Sequence, residues 1–366
     1  MRRRAAPRGR RRRWWHGEVS WSHVSSPSRP SCSWRALSGQ TGRRVRSSRA
    51  TRWSTLPDVR TFDVPLPIDL LRSLRPLVAS SSDPTIRLRP DRVVRTARTP
   101  DGPATLDIRR VAPQRFIAEA SGSGRDWALD NAPDLLGAAD DLDGFDASRH
   151  RMVARAHHAR SDLRMVRSGR IEDVLVPTIL AQRVTSQEAA RSWTRLVMAW
   201  GRPAPGPIPL RLPPSAGELA TRPYWDFHRL GVERSRAERI AVACRNLDVL
   251  QAAMAPARHP GDVTETAGLT VAERLTRVPG IGPWTAALLA RTAAGDPDTV
   301  EVGDDNTKHH VVHALTGRPR GSDEEMLGLL EPFAGHRGRV IRLLLSAAPR
   351  PPRFGPRRRA VPVDRL

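Results

Sequence analysis

The hydrophobic rhythm of the chain changes twice. Residues 1–55 are Arg, Ser and Trp with no helical or strand spacing. Such a segment buries too little apolar surface to offset its ordering entropy. From Thr61 short apolar or alternating runs appear at 85–88, 92–96, 104–110 and 114–120, broken by Arg89-Pro90-Asp91 and Pro100-Asp101-Gly102. Alternation of period two between turn-forming residues predicts an antiparallel sheet of four or five strands. Residues 133–148 are acidic and predict a loop with a short helix. Beyond about Arg151 the rhythm becomes helical.

Thr185-Ser186-Gln187-Glu188 is a capping box, in which the Thr oxygen accepts an orphan N–H and Glu188 reaches back. Trp193, Leu196, Val197 and Trp200 follow at helical spacing, and Gly201 ends the helix. Residues 203–214 form a proline-rich crossing loop, and 234–247 repeat the helical pattern after a turn at Gly231. A second capping box, Thr270-Val271-Ala272-Glu273, opens a helix that runs into Val278-Pro279-Gly280-Ile281-Gly282-Pro283-Trp284-Thr285-Ala286. The two glycines allow a sharp turn around Ile281, which packs between the helices. Pro283 suits the first position of the next helix. The N–H groups of this turn and helix start point outward together, an anion site of the kind that takes a DNA phosphate. Gly295 stops the second helix, Asp296-Pro297-Asp298 turns the chain, 299–302 run extended, and a helix follows over about 306–315. Asp304 and Asp305 thus stand at a helix N-terminus, where a carboxylate is stabilised either as a cap or as a catalyst.

The 366 residues suffice for two or three domains and a sizeable core. The net charge of +23 points to a polyanionic partner, and its distribution sharpens the point. Residues 1–60 hold sixteen Arg against Glu18 and Asp58, a net +14; residues 349–366 hold six Arg against Asp364, a net +5; the body between keeps only +4. The N-terminal stretch, with five of the ten tryptophans, is either a nucleic-acid-binding tail of Arg and stacking aromatics or disordered chain from an early translation start. Cys32 and Cys244 support neither a disulfide framework nor an iron–sulfur cluster. No apolar run reaches the ~18 residues of a membrane span, and the basic start lacks the apolar stretch of a secretory signal. A cytoplasmic, nucleoid-associated setting fits. His309, His310 and His313 have no carboxylate or cysteine partners at ligand spacing and predict an exposed helix face rather than a metal site.

From about 164 to 345 the chain resembles the helix-hairpin-helix DNA glycosylases, and within them the 3-methyladenine DNA glycosylase II type. The hairpin and Gly303-Asp304 carry the resemblance, with Leu230-Gly231, Arg236-Ala237 and Leu180-Ala181-Gln182-Arg183-Val184. It implies an α+β fold: a small antiparallel sheet domain over 61–150, then an all-α core over 151–348, flanked by tails at 1–60 and 349–366. It also implies a monomer acting on double-stranded DNA that contains a damaged base. The family's catalytic aspartate lies about two dozen residues after the first hairpin glycine, which favours Asp304 over Asp305, and Asp305 stands where relatives carry an aromatic. The hairpin contacts to DNA fall on Gly280, Ile281, Gly282 and Thr285, the wedge loop on Gln182 and Arg183, and the base pocket on Trp284 and Leu288. No cofactor is required; the family's hairpins hold a sodium or potassium ion on backbone carbonyls, here those of Thr276, Val278 and Gly280.

Two chemistries cleave a base from its sugar. A lysine nucleophile forms a Schiff base and goes on to cut the strand, but the family's lysine position is here Trp284. Lys308, the chain's only lysine, lies one turn beyond Asp304, facing phosphate or solvent. The other route is hydrolysis, in which a carboxylate opposes the charge that builds on the sugar and orients or deprotonates a water. An alkylated purine is already cationic and leaves with little acid help, while an aromatic face attracts it. The expectation is therefore a monofunctional glycosylase for alkylated purines that flips its target out of the stack. A lesion-binding protein without catalysis, or a glycosylase for oxidised or deaminated bases, stays open.

Overall fold

The computed structural model describes residues 58–255 and 269–352. The expectations for the N-terminal tail, and for all but the first few residues of the basic C-terminal tail, lie outside the described residues. The strands are β1 (Asp58–Asp63), β2 (Ile86–Leu88), β3 (Arg92–Thr99), β4 (Gly102–Arg110) and β5 (Arg115–Gly122). They form one antiparallel sheet in the order β1-β5-β4-β3-β2. Pattern reading left β1 out. It adds to the edge of β5, where Phe62 lies opposite Phe116 and stacks on it with ring centroids 5.8 Å apart. Gly102, at the β3–β4 turn, has φ +117°, and a Cβ there would lie 2.1 Å from Ser123 Oγ, so the turn requires glycine. One face of the sheet presents Val93, Leu106, Ile108, Phe116 and Ala118 to Leu70, Leu74, Leu129, Leu135 and Leu136.

The proline-rich 203–214 segment is more than a crossing loop. Arg202–Pro203 and Arg211–Leu212 pair as a short ribbon, and Arg211 exchanges backbone contacts with Pro84 (2.9 Å) and Thr96 Oγ1 (3.0 Å) beside β3. Arg95 of β3 reaches Asp173 at 2.6 Å, with both side chains 7 % exposed. A charge pair shielded from water this well ties the sheet to the helices.

The helix Glu172–Leu180 buries Val174, Leu175, Val176, Ile179 and Leu180, a run too apolar to show a polar face, and it lies at the centre. Around it pack Ser186–Trp200, Arg234–Arg245, Val271–Thr276 and Pro283–Leu289, sharing one apolar cluster. Arg151–Ala159, Thr307–Thr316, Asp323–Leu330 and Arg337–Ala347 build a second cluster. The acidic stretch carries a short helix, Ala132–Leu135, and its Asp140 forms a buried pair with Arg339 at 2.6 Å. The observed class is α+β, mostly helical with a small antiparallel sheet on the N-terminal side, as the sequence implies. Among the described residues no helix is long and apolar enough to cross a membrane.

The chain between Gly295 and Thr307 crosses from the first cluster to the second. Residues 299–302, expected to run extended, pair with no strand. They are fixed by side chains instead. The hairpin's second helix ends in a wide turn of π type, Ala290–Ala294, before Gly295 at φ +76°. Arg291 in that turn meets Glu301 at 2.6 Å, the two side chains 7 % and 5 % exposed. Two residues later comes Gly303, and then Asp304.

Candidate active site

Both helices of the hairpin are set by local chemistry. Thr270 and Glu273 complete their capping box in both directions at the start of Val271–Thr276. Gly280 takes φ +87°, a left-handed conformation that favours glycine, and Arg239 lies over it so that an added Cβ would come within 3.3 Å of Arg239 Cγ. Ile281 is 3 % exposed and belongs to the apolar cluster. Its side chain therefore serves the fold. Gly282 caps Pro283–Leu289 and, having no side chain, leaves the first N–H groups of that helix without a cap from the N-cap residue.

A cavity of about 700 Å³ opens between the hairpin, the 181–186 corner and the 302–306 loop. Asp304 lies on its wall and is the best-held group in it. Its Oδ1 accepts the backbone N–H groups of Asn306 (2.9 Å) and Thr307 (2.8 Å), so it satisfies the first N–H of the helix Thr307–Thr316, whose N-cap residue is Asn306. Its Oδ2 accepts the indole N–H of Trp284 at 2.9 Å. Burial acts to raise the carboxyl pKa, but the hydrogen bonds from Thr307, Asn306 and Trp284 outweigh it and hold the group below its ordinary value. The carboxylate is thus ionised at neutral pH, poised to oppose positive charge. Such a group is a weak proton acceptor.

Other candidates fall differently. Trp284 is half-buried and lines the cavity, but its polar edge is used on Asp304, so both its face and its N–H matter. Leu288, on the same helix face as Trp284 but one turn (about 6 Å) further along the axis, is half-buried and does not line the cavity. Thr285 is 2 % exposed, and its hydroxyl accepts Gln182 Nε2 at 2.9 Å. Gln182 Oε1 in turn accepts Arg239 Nη1 at 3.2 Å. Gln182 and Thr285 therefore spend these side-chain groups inside the protein, locking the wedge corner to the hairpin. Arg183 is exposed at the cavity rim with φ +59°, in the described residues the sole non-glycine at positive φ. Such strain concentrates at functional positions. Asp305 is exposed and also lines the cavity.

Two further expectations need correction. Lys308 does not simply face solvent: its Nζ pairs with Asp323 at 3.0 Å, its side chain is 23% exposed, and it does not line the cavity. The histidines do not make one exposed face: His310 is 7 % exposed, and burial holds its pKa down. His309 Nδ1 accepts the Gly321 N–H at 3.2 Å. Among the described residues no group of three or more His, Cys, Asp or Glu could hold a metal ion. Sequence reasoning missed Arg239 and Asp323, whose contacts to the site join distant stretches of chain. The one local signal near them is the Ser322/Glu325 capping box, which fixes where Asp323 begins its helix.

Solved structures share this fold. The 3-methyladenine DNA glycosylase from Archaeoglobus fulgidus superposes with a TM-score of 0.64 at 14% identity, covering 78% of this chain and 97% of that one. MBOgg1 in complex with a low-affinity DNA ligand gives 0.57 at 16% identity, over 79% and 96%. The Clostridium acetobutylicum 8-oxoguanine glycosylase/lyase bound to double-stranded DNA gives 0.52 at 14% identity, over 71% and 96%. No protein-family model and no curated protein matches the sequence. At this identity the likeness is one of fold: the chain has the architecture common to these DNA glycosylases.

Proposed function

We propose that the protein is a DNA glycosylase that removes alkylated purines, of the 3-methyladenine kind, from double-stranded DNA by hydrolysis. The observation that carries this reading is an ionised Asp304, held by the Trp284 indole, on the wall of a cavity beside a hairpin suited to DNA phosphate. The target base leaves the stack and enters the cavity. As the N-glycosidic bond stretches, positive charge grows on the sugar and the Asp304 carboxylate opposes it while a water adds to the anomeric carbon. The exposed Arg183 supplies the group that enters the duplex, and the backbone of Gly280 and Gly282 takes phosphate.

Hydrolysis without strand cutting is favoured over the lyase route by residue identity. An indole stands at 284, and the one lysine is paired with Asp323 away from the cavity. The fold likeness to an 8-oxoguanine glycosylase/lyase keeps an oxidised base as the second reading. The carbonyls of Thr276, Val278 and Gly280, proposed as holding a sodium or potassium ion, fit it in kind. They are hard neutral oxygens, and Val278 O, which accepts the Ile281 N–H at 3.1 Å, keeps a second lone pair. Such an ion would add positive charge beside the phosphate grip. We take the active species to be a monomer. Duplex DNA treated with a methylating agent tests the reading: wild-type protein should release free 3-methyladenine without strand breaks. Asp304→Asn should bind the DNA and release none.

A further inference from the structure

We infer that Asp323, held by Lys308, is a positioning residue that aims the carboxylate of Asp304, an inference that rests on the hydrolytic reading above. Asp304 sits in a loop of two consecutive turns, and its carboxylate depends on how that loop is held on both sides. Downstream, the carboxylate itself binds the N–H groups of Asn306 and Thr307. Upstream, the Asp304 N–H reaches Glu301 O at 3.2 Å, but the residue between, Gly303, stands at φ +87° with open space where a Cβ would be, so no packing of its own confines it. The side chain that holds Gly303 is Asp323: its Oδ1 accepts the Gly303 N–H at 3.1 Å, and its Oδ2 accepts Lys308 Nζ at 3.0 Å.

Asp323 is itself fixed. It opens the helix Asp323–Leu330, whose cap Ser322 and Glu325 complete in both directions, and that helix packs through Met326 and Leu330 into the second apolar cluster. Lys308 sits on the helix whose first N–H Asp304 accepts. The pair therefore closes a ring: Asp304 holds the start of a helix, that helix presents Lys308, Lys308 orients Asp323, and Asp323 holds the amide one residue before Asp304. The Lys308 and Asp323 side chains are 23% and 20% exposed, sheltered enough for the pair to resist screening by salt. In a chain whose other sixty Lys-or-Arg positions are all Arg, a compact ammonium stands at this one place. With Trp284 on Oδ2, the acid's position is fixed from the hairpin, from its own helix and from a helix near the C-terminus.

Asp323→Asn and Lys308→Met test this, with Lys308→Arg as the charge-conserving partner. Single-turnover release of 3-methyladenine should fall by about 10- to 100-fold in the first two variants, the size expected for a displaced reacting group. The dissociation constant for lesion DNA and the midpoint of thermal unfolding should stay close to wild type, and Lys308→Arg should recover most of the rate. The Trp284 indole N–H proton resonance, identified by its loss in Trp284→Phe, should move in Asp323→Asn, because it reports the Asp304 contact directly. Wild-type rates in Asp323→Asn with an unmoved resonance would overturn the inference. A loss confined to DNA affinity would overturn it too, making Lys308 a phosphate contact. If wild-type protein releases no base at all, the hydrolytic reading fails, and the indole resonance alone decides whether Asp323 aims Asp304.

Discussion

Replacing Trp284 with Phe separates the two uses of that side chain. The ring face against the cavity is kept, while the N–H that reaches Asp304 Oδ2 at 2.9 Å is lost. A hydrogen bond to a charged group contributes about 1.5–3 kcal/mol. Asp304 is half-buried, so water compensates the loss only in part. If that stabilisation is what keeps the carboxylate ionised and aimed, its removal slows base release by about 10- to 100-fold. The sign of the pH effect follows from the same bond. Asp304 is held below the ordinary carboxylate range, so its contribution to stability is present above the unfolded value and is lost as pH falls through the folded one. Losing Trp284 Nε1 raises the folded value, which moves the acid limb of the rate profile to higher pH. The assay is single-turnover release of 3-methyladenine between pH 4 and 8, with DNA affinity measured alongside. The reasoning is refuted if Trp284→Phe matches wild type in rate and acid limb, or if the whole loss lies in affinity. In the last case the indole serves only to stack on the base.

Gly280→Ala forces a left-handed residue against Arg239 Cγ at 3.3 Å and should cost about 1–2 kcal/mol of stability, read from denaturant midpoints, with weaker DNA binding. An unchanged midpoint would mean that the hairpin relaxes freely. Arg291→Met leaves Glu301 buried without its partner and should destabilise by about 3–5 kcal/mol, whereas a change below about 1 kcal/mol would show that the pair does not fix the path to Asp304. Cys244 is 6 % exposed, and burial pushes its thiol up to about 12. In a Cys32→Ser background a maleimide at pH 8 should therefore label the protein only after unfolding; rapid labelling of folded protein would contradict this packing.

The legible parts of the chain were those whose cause is local. Thr185/Glu188 and Thr270/Glu273 announce helix starts because a capping box closes within four residues. Strands β2 to β5 show because alternation and turn residues lie side by side. β1 does not, since an edge strand is defined by its pairing with β5, more than fifty residues away. The site divides in the same way. Glycine and proline mark the hairpin, and the family resemblance points from it to Asp304, but neither says which donors reach the carboxylate. Trp284 reads as a stacking face from its position, and its N–H contact is visible only once the 302–306 loop is folded beside it. Lys308 looks free in sequence because Asp323 lies on another helix. The resemblance places Gln182 in the wedge loop and Thr285 on the hairpin, but only the fold shows that their side chains bond to each other. His310 reads as exposed because the sequence offers the three histidines no ligand partners, whereas in the fold it is 7% exposed.

The central claim is hydrolytic release of an alkylated purine from DNA. It is tested most directly by incubating the wild-type protein with one duplex pool carrying 3-methyladenine, 7-methylguanine, 8-oxoguanine and uracil, then identifying released bases by mass and strand breaks by gel. The account predicts free alkylpurines, intact strands bearing abasic sites, and no release by Asp304→Asn. Release of 8-oxoguanine with strand cleavage, or of no base at all, would contradict it.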